Sequence, residues 1–273
     1  MPELPEVETI RRQLEPELRN RQIERLEVLD ARWTRPVDPR PLERQVGGRT
    51  IASLRRRGKY LLLDLEGELT LVMHLRMTGN LFLVDEGDLV VAVDGSDFTP
   101  ADDPYLRARF SLDDGRELRF SDARRFGEAF LLPTDRVEER FSGRVGIEPL
   151  SEEFTAEAIE RIAAGRRAPL KSFLLDQAGI AGVGNIYADE ALSAGLDSGG
   201  ASIDDYLDSR GERGSMQDEF LVHRREGEPC PRCETQIRRI VVSGRSTYFC
   251  SGCQVRLRRR PGRKRRSRSA TTS

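Results

Sequence analysis

Lysine is nearly missing from this chain. Of 45 basic residues, 42 are arginine, and lysine stands only at Lys59, Lys171 and Lys264. Lysine is a compact donor that can release its proton, whereas arginine stays charged. Lys59 and Lys171, the two that precede the C-terminal tail, are therefore candidates for chemistry or close phosphate contact. Long apolar runs are also lacking, which excludes a membrane-spanning helix. No secretory-signal pattern is present, and the expectation is an intracellular, cytoplasmic protein with no membrane partner. Cysteine is limited to four residues in two close pairs, which speaks for metal rather than a disulfide framework.

The 273 residues have room for two domains, with 37% hydrophobic and 33% charged residues. A net charge of −1 conceals an asymmetry. Nine basic residues and no acid follow Cys253, so the body before it carries 36 basic against 46 acidic groups, a balance of −10. Nucleic-acid affinity rests largely on phosphate neutralisation. Composition thus argues weakly against a nucleic-acid partner, and any such surface has to be a local basic patch. The segment Asp85–Asp103, with seven acids and no base, reads as a solvated loop facing away from it.

Two prolines and three carboxylates crowd the first nine residues, Met1-Pro2-Glu3-Leu4-Pro5-Glu6-Val7-Glu8-Thr9. Removal of Met1 would leave Pro2 with a secondary amine, which can attack an electrophilic sugar carbon as Schiff-base lysines do. Glu3 is its neighbour, and an amine beside a carboxylate suits attack coupled to proton transfer. Pro5 fits the first turn of a helix, Glu6 meets the positive end of its dipole, and Val7, Ile10, Leu14 and Leu18 share one face. An ordinary helix start with an acidic first turn is the plainer alternative.

Residues 22–133 read as short strands separated by turns: Ile23–Leu29, Tyr60–Leu65, Leu69–Leu75, Leu81–Val84, Leu89–Val93, Arg107–Leu112, Glu117–Ser121 and Glu128–Leu132. That pattern after one helix predicts a β-sandwich. From Leu150 the pattern turns helical. Ser151 is the expected N-cap, Phe154, Ala158, Ile159 and Ile162 share a face, and shorter helices are expected over Ser172–Gln177 and Ile186–Ala194. The turn Gly179-Ile180-Ala181-Gly182-Val183-Gly184-Asn185 frees backbone N–H groups of the kind that bind phosphate, although such a turn is usually only a loop. Cys230, Cys233, Cys250 and Cys253 form C-x2-C-x16-C-x2-C, the spacing of one structural zinc (Zn2+) in a ribbon. Between the pairs, Arg238–Val242 and Ser246–Phe249 alternate as a hairpin with Arg245 at its tip. The tail Arg256–Arg268 is a charge run with no core residues.

Together these motifs, in this order from Pro2 to Cys253, resemble the bacterial formamidopyrimidine-DNA glycosylases. Leu4 favours that purine branch over endonuclease VIII, which carries glycine there. The resemblance implies an α+β fold: an N-terminal helix and β-sandwich, a helical domain with a helix–two-turn–helix, and a zinc-ribbon hairpin. It also implies a bifunctional glycosylase and AP lyase acting as a monomer on damaged double-stranded DNA, in the nucleoid. Pro2 would be the nucleophile and Glu3 the acid/base, with Glu6 in support. Lys59 would contact phosphate and donate a proton in β-elimination, and Arg245 would take part in δ-elimination. Met77 would fill the gap left by the flipped nucleotide, with Arg124 and Phe126 beside the orphaned base. Arg167, Lys171 and Asn185 would grip phosphates, and Tyr105 stands where the family has a DNA-contacting histidine.

Departures accompany the resemblance. Arg76 stands where the family usually has glycine, and Ala123 where it has proline. After Leu196 about thirty residues of the helical region are missing, and a smaller core is harder to stabilise. Ser202–Leu207 then resembles the start of a lesion-covering loop, with Arg210–Gln217 as its mobile part. The expected divisions are residues 1–134 (catalytic β-sandwich), 150–222 (shortened helix–two-turn–helix with lesion loop), 223–254 (zinc finger) and 255–273 (basic tail). Two rivals remain: an endonuclease VIII-like enzyme for oxidised pyrimidines, and a DNA-binding zinc-ribbon protein without turnover.

Overall fold

The computed structural model describes residues 2–86, 88–89, 103–190, 211, 215–242 and 244–253. Most of the acidic segment 85–103, the join at 191–210, part of the loop at 210–217 and the tail lie outside these residues.

Helix α1 spans Leu4–Leu18, with Glu3 as its N-cap and Pro5 in its first turn. Its predicted stripe, Val7, Ile10, Leu14 and Leu18, is fully buried, each side chain contributing about 1.5–3 kcal/mol relative to exposure. Nine strands follow: β1 (Gln22–Val28), β2 (Arg49–Arg57), β3 (Tyr60–Leu65), β4 (Leu69–His74), β5 (Gly79–Asp85), β6 (Asp88–Leu89), β7 (Leu106–Leu112), β8 (Glu117–Asp122) and β9 (Glu128–Pro133). They pair in the order β6-β5-β8-β7-β1-β2-β3-β4-β9.

Strands β1 and β2 share only two paired positions. The sheet therefore folds over at that seam into two layers. Leu61, Leu63, Leu71 and Met73 from one layer and Leu81, Leu83, Phe110 and Phe120 from the other form a single core. This is the predicted β-sandwich. Strand β2 has no counterpart among the predicted strands, because a register shift between Ile51 and Ser53 breaks its alternation. Helix α2, Pro39–Val46, was likewise not foreseen; its signal is Asp38 as N-cap before a proline at the first helical position.

Beyond the sandwich lie α3 (Val137–Phe141), α4 (Ala156–Ala163) and α5 (Leu170–Leu174). Thr155, not Ser151, caps α4, accepting the Ala158 N–H at 3.2 Å. The helix expected over Ser172–Gln177 sits two residues earlier, because Pro169 is its N-cap. Where a helix was expected from Ile186, the described residues make one turn, with Ala188 N–H bonded to Gly184 O at 2.9 Å and Glu190 N–H to Ile186 O at 3.0 Å. Phe173, Ile180 and Val183 form the small core of this region. Hairpin β10 (Ile237–Val242) and β11 (Arg245–Cys250) closes the chain.

Much of the arginine in Arg55-Arg56-Arg57 holds the molecule together. Arg56 bridges Glu8 of α1 (2.9 Å) and Glu148 of the connecting segment (2.6 Å), while Arg57 binds Glu148 and the carbonyls of Val145 and Gly146. Burial pushes the Glu8 carboxyl up, but hydrogen bonds and charge from Arg11 and Arg56 outweigh it and hold the group down at about 2. A depressed carboxylate contributes stability above its ordinary value near 4.5, and that contribution is lost as pH falls through 2. Glu8→Gln is therefore expected to cost on the order of 3 kcal/mol at neutral pH. Urea unfolding of both proteins should show the gap narrowing steadily from about pH 5 towards pH 2; a gap independent of pH would contradict this account.

Candidate active site

At the start of α1, Pro2 and Glu3 are both buried. A buried carboxylate needs hydrogen-bond partners to stay charged. Glu3 finds them across the molecule: its oxygens accept the N–H groups of Ile186 (3.1 Å) and Tyr187 (3.3 Å). Glu6 accepts the Glu3 N–H at 2.8 Å and the Tyr187 hydroxyl at 2.5 Å. The loop before Ile186 fits around this cluster. Leu4 N–H donates to Gly182 O at 3.0 Å. A Cβ on Gly184 would lie 2.1 Å from the Glu3 carboxyl carbon, so only glycine permits the approach. The glycine-rich turn thus grips the Glu3 carboxylate of the sandwich side.

Gly184 also lines a cleft of about 610 Å³ whose walls include Lys59, His74, Arg76, Met77, Phe126 and Arg245. Lys59 is lowered from its usual range, chiefly by burial; the charges of Glu3 and Glu6 pull it back up, and Arg245 pushes it further down. A lysine so placed gives up and regains a proton more readily than one in water. Arg245 opens β11, opposite Val242 at the hairpin end, and reaches the cleft from the zinc-ribbon side. Burial, with Arg76 and Lys59, holds His74 down at about 3. The ring is neutral, and its Nδ1 accepts the Arg76 N–H at 2.9 Å.

Met77 and Phe126 project at the rim, 40% and 49% exposed. The Arg124 guanidinium lies 4.9 Å from the Phe126 ring centre. Behind this loop Asp122 is fully buried. It accepts the Thr78 hydroxyl, the Arg124 N–H (3.1 Å) and the Gly127 N–H (2.7 Å), tying the Met77 turn to the Arg124–Phe126 loop. Asp122 was not among the predicted site residues, although an aspartate opening a turn is a local signal for this bonding. Arg76 is the family departure next to Met77. It sits at φ +57° and pairs with Glu128 at 2.6 Å. The left-handed backbone explains why glycine suits the position.

The remaining predicted residues divide. Arg167 is exposed on the loop before α5. The Asn185 side-chain oxygen is buried without a partner. Lys171 does not face outward: its ammonium is buried between Asp189 (2.9 and 3.1 Å) and the Ser246 carbonyl (2.7 Å). With its three donors used, Lys171 fastens the helical region to the zinc-ribbon hairpin, which corrects the expectation that it grips phosphate. Tyr105 is exposed but does not line the cleft; its carbonyl accepts the Asp122 N–H at 2.8 Å.

The four cysteine sulfurs lie within 4.8 Å of one another. The Cys230–Cys253, Cys233–Cys250 and Cys233–Cys253 distances are 3.9, 3.4 and 3.4 Å. Tetrahedral zinc with bonds near 2.3 Å needs sulfur–sulfur edges of about 3.8 Å. The cysteines therefore fit one structural zinc, with no position left for substrate.

Three family descriptions match the chain in succession: the formamidopyrimidine-DNA glycosylase N-terminal domain over residues 1–129, the formamidopyrimidine-DNA glycosylase H2TH domain over 145–198, and the zinc finger found in FPG and IleRS over 227–255. A formamidopyrimidine-DNA glycosylase of Chloroflexus aurantiacus is 40% identical, with 94% of this chain and 99% of that protein covered. The chain belongs to the formamidopyrimidine-DNA glycosylase family. The Moorella thermoacetica glycosylase is 43% identical over 88% of this chain and 94% of its own. Among solved structures, the Lactococcus lactis protein in complex with DNA containing N7-benzyl-Fapy-dG superposes with a TM-score of 0.78, at 30% identity, covering 93% of this chain and all of that one. The alignment with the Chloroflexus glycosylase runs over 289 residues, longer than this chain, so gaps in this family member fall opposite residues of the relative.

Two predictions follow from this geometry. Gly184→Ala is expected to leave the sandwich folded but displace Glu3, and a displacement of about 1 Å can cost on the order of 10²-fold in rate. Single-turnover excision should fall accordingly, while far-ultraviolet dichroism stays unchanged; normal excision would show that the cradle does not position Glu3. For the metal, Cys250→Ser or chelation is expected to disorder the hairpin and misplace Arg245, with the sandwich intact, since structural zinc is worth on the order of 10–16 kcal/mol in zinc-finger peptides. Metal analysis should find one zinc per chain in active protein, and active protein without zinc would refute the assignment.

Proposed function

We propose that this chain is a bifunctional DNA glycosylase and AP lyase that removes oxidised purines, formamidopyrimidines and 8-oxoguanine, from double-stranded DNA in the cytoplasm. The observation that carries this reading is the buried Glu3, next to Pro2 and held against Gly184, a wall residue of the cleft that Lys59 and Arg245 also line. With Met1 removed, the Pro2 nitrogen attacks C1′ of a flipped nucleotide. A bond from nitrogen to C1′ forms as the glycosidic bond breaks, the base leaving protonated and the amine losing its proton. The C1′–O4′ bond then breaks, Glu3 supplying the proton to O4′, and the ring-opened iminium remains. Lys59, with its proton loosened by burial, serves β-elimination, and Arg245 serves δ-elimination at the lesion phosphates.

Flipping a nucleotide costs a few kcal/mol of unstacking and unpairing. Met77 and Phe126 are placed to offset it by filling the vacated stack, with Arg124 beside the orphaned base. Arg167 and Asn185 are assigned to phosphates, and Glu6 supports Glu3 through their shared hydrogen bond. The helical domain, 150–222, is read as shortened between Leu196 and Ser202.

Borohydride is expected to trap a covalent complex with abasic DNA, and Pro2→Gly to abolish nearly all of it. Undiminished trapping in that variant would move the nucleophile elsewhere. Glu3→Gln should lose more glycosylase than lyase activity, because an abasic site has no base to expel; equal loss of both would contradict the role given to Glu3.

A further inference from the structure

Charge around the cleft is unevenly committed. Its walls carry Lys59, Arg76, Arg140, Arg144 and Arg245 against one carboxylate, Glu128, and Arg76 occupies Glu128 at 2.6 Å. A shallower groove of about 430 Å³ continues from the cleft and shares Arg140 and Arg144 with it. Its acid, Glu139, is taken by Arg136 at 2.6 Å. Every acid lining these two spaces is thus neutralised by a neighbouring arginine. Arg140 and Arg144 are exposed, and no described residue forms an ion pair with either. The contrast with Arg11, Arg56, Arg109 and Arg116, all held by carboxylates, is direct.

Local structure presents both guanidiniums to the groove. Arg140 sits in the last turn of α3, its guanidinium 5.2 Å from the Phe130 ring centre, a stacking that orders the side chain while leaving its N–H edge available. Arg144 follows one turn later, where its own N–H and that of Val145 both bond to Phe141 O at 2.9 Å. We propose that Arg140 and Arg144 form a ledge that binds backbone phosphates of the duplex beside the lesion, extending the basic floor of the cleft along α3. The proposal rests on the glycosylase reading above. It also accounts for how a body with a charge of −10 holds DNA: two exposed cations without an ion-pair partner among the described residues add directly to phosphate neutralisation.

The test compares wild type with the double variant Arg140→Gln/Arg144→Gln and the charge-keeping Arg140→Lys/Arg144→Lys, on a duplex bearing a tetrahydrofuran abasic site. Each lost phosphate contact lowers the slope of log affinity against log salt by about 0.9, so the Gln pair should lose about 1.8, equivalent to a roughly twelvefold change in relative affinity between about 50 and 200 mM salt. The Lys pair should restore most of the slope. Opposite-base preference should not change, because phosphate contacts carry no sequence information. Trimming the duplex from the flank that covers the ledge should bring wild type and the Gln pair together. An unchanged slope, or a Lys pair as weak as the Gln pair, would overturn the ledge. Wild type failing to form a borohydride-trapped complex on a true abasic duplex would instead overturn the glycosylase reading.

Discussion

Burying the Glu3 carboxylate is the constraint around which this molecule is arranged. A charge removed from water is tolerated only when its lone pairs are occupied, and the Glu6 N–H of the first helical turn supplies one donor to Glu3. The others come from the backbone of Ile186 and Tyr187, 183 and 184 residues away in sequence. The requirement brings the glycine turn against α1, excludes a side chain at Gly184, and sets Tyr187 against Glu6. The same approach makes Gly184 part of the cleft wall. Assembly of the active site and docking of the two halves are thus one event.

A second layer of polar contacts secures that docking. Glu148 accepts from Arg56, Arg57 and the Gly58 N–H, which fixes the backbone immediately before Lys59. Lys171 and His223 share Asp189, and Lys171 reaches the carbonyl of Ser246, next to Arg245. Glu190 accepts the N–H groups of Leu221, Val222 and His223, tying the approach to the zinc ribbon onto the helical region. Charged groups that composition presents as solvated surface are here the connectors between parts with separate, small cores. An acidic body is compatible with a DNA-binding cleft because charge is segregated: the cleft walls carry five cations against one carboxylate, itself paired with Arg76.

Legibility in the sequence followed the range of the interaction. Strands β3, β7, β8 and β9 and the buried face of α1 were readable within a residue or two, since side-chain alternation and helical periodicity are local properties. Strand β2 was not, because a register shift between Ile51 and Ser53 interrupts its period and three consecutive arginines, Arg55 to Arg57, follow. The zinc site was readable from spacing alone. The roles of charged residues were the least readable. The two lysines of the body looked equivalent, yet Lys59 lines the cleft and Lys171 is sealed between Asp189 and Ser246; no local pattern separates them.

The amino-acid sequence by itself determined the amphipathic helix, most strands of the sandwich, the four metal-binding cysteines and the family to which the chain belongs. Each of these depends on residue type and near-neighbour spacing. Tertiary structure alone decided which carboxylates are buried, which arginines are already neutralised, and which cations remain to face a ligand. Those outcomes depend on partners brought together from distant parts of the chain, and electrostatic energy is set by distance and burial rather than by position in sequence.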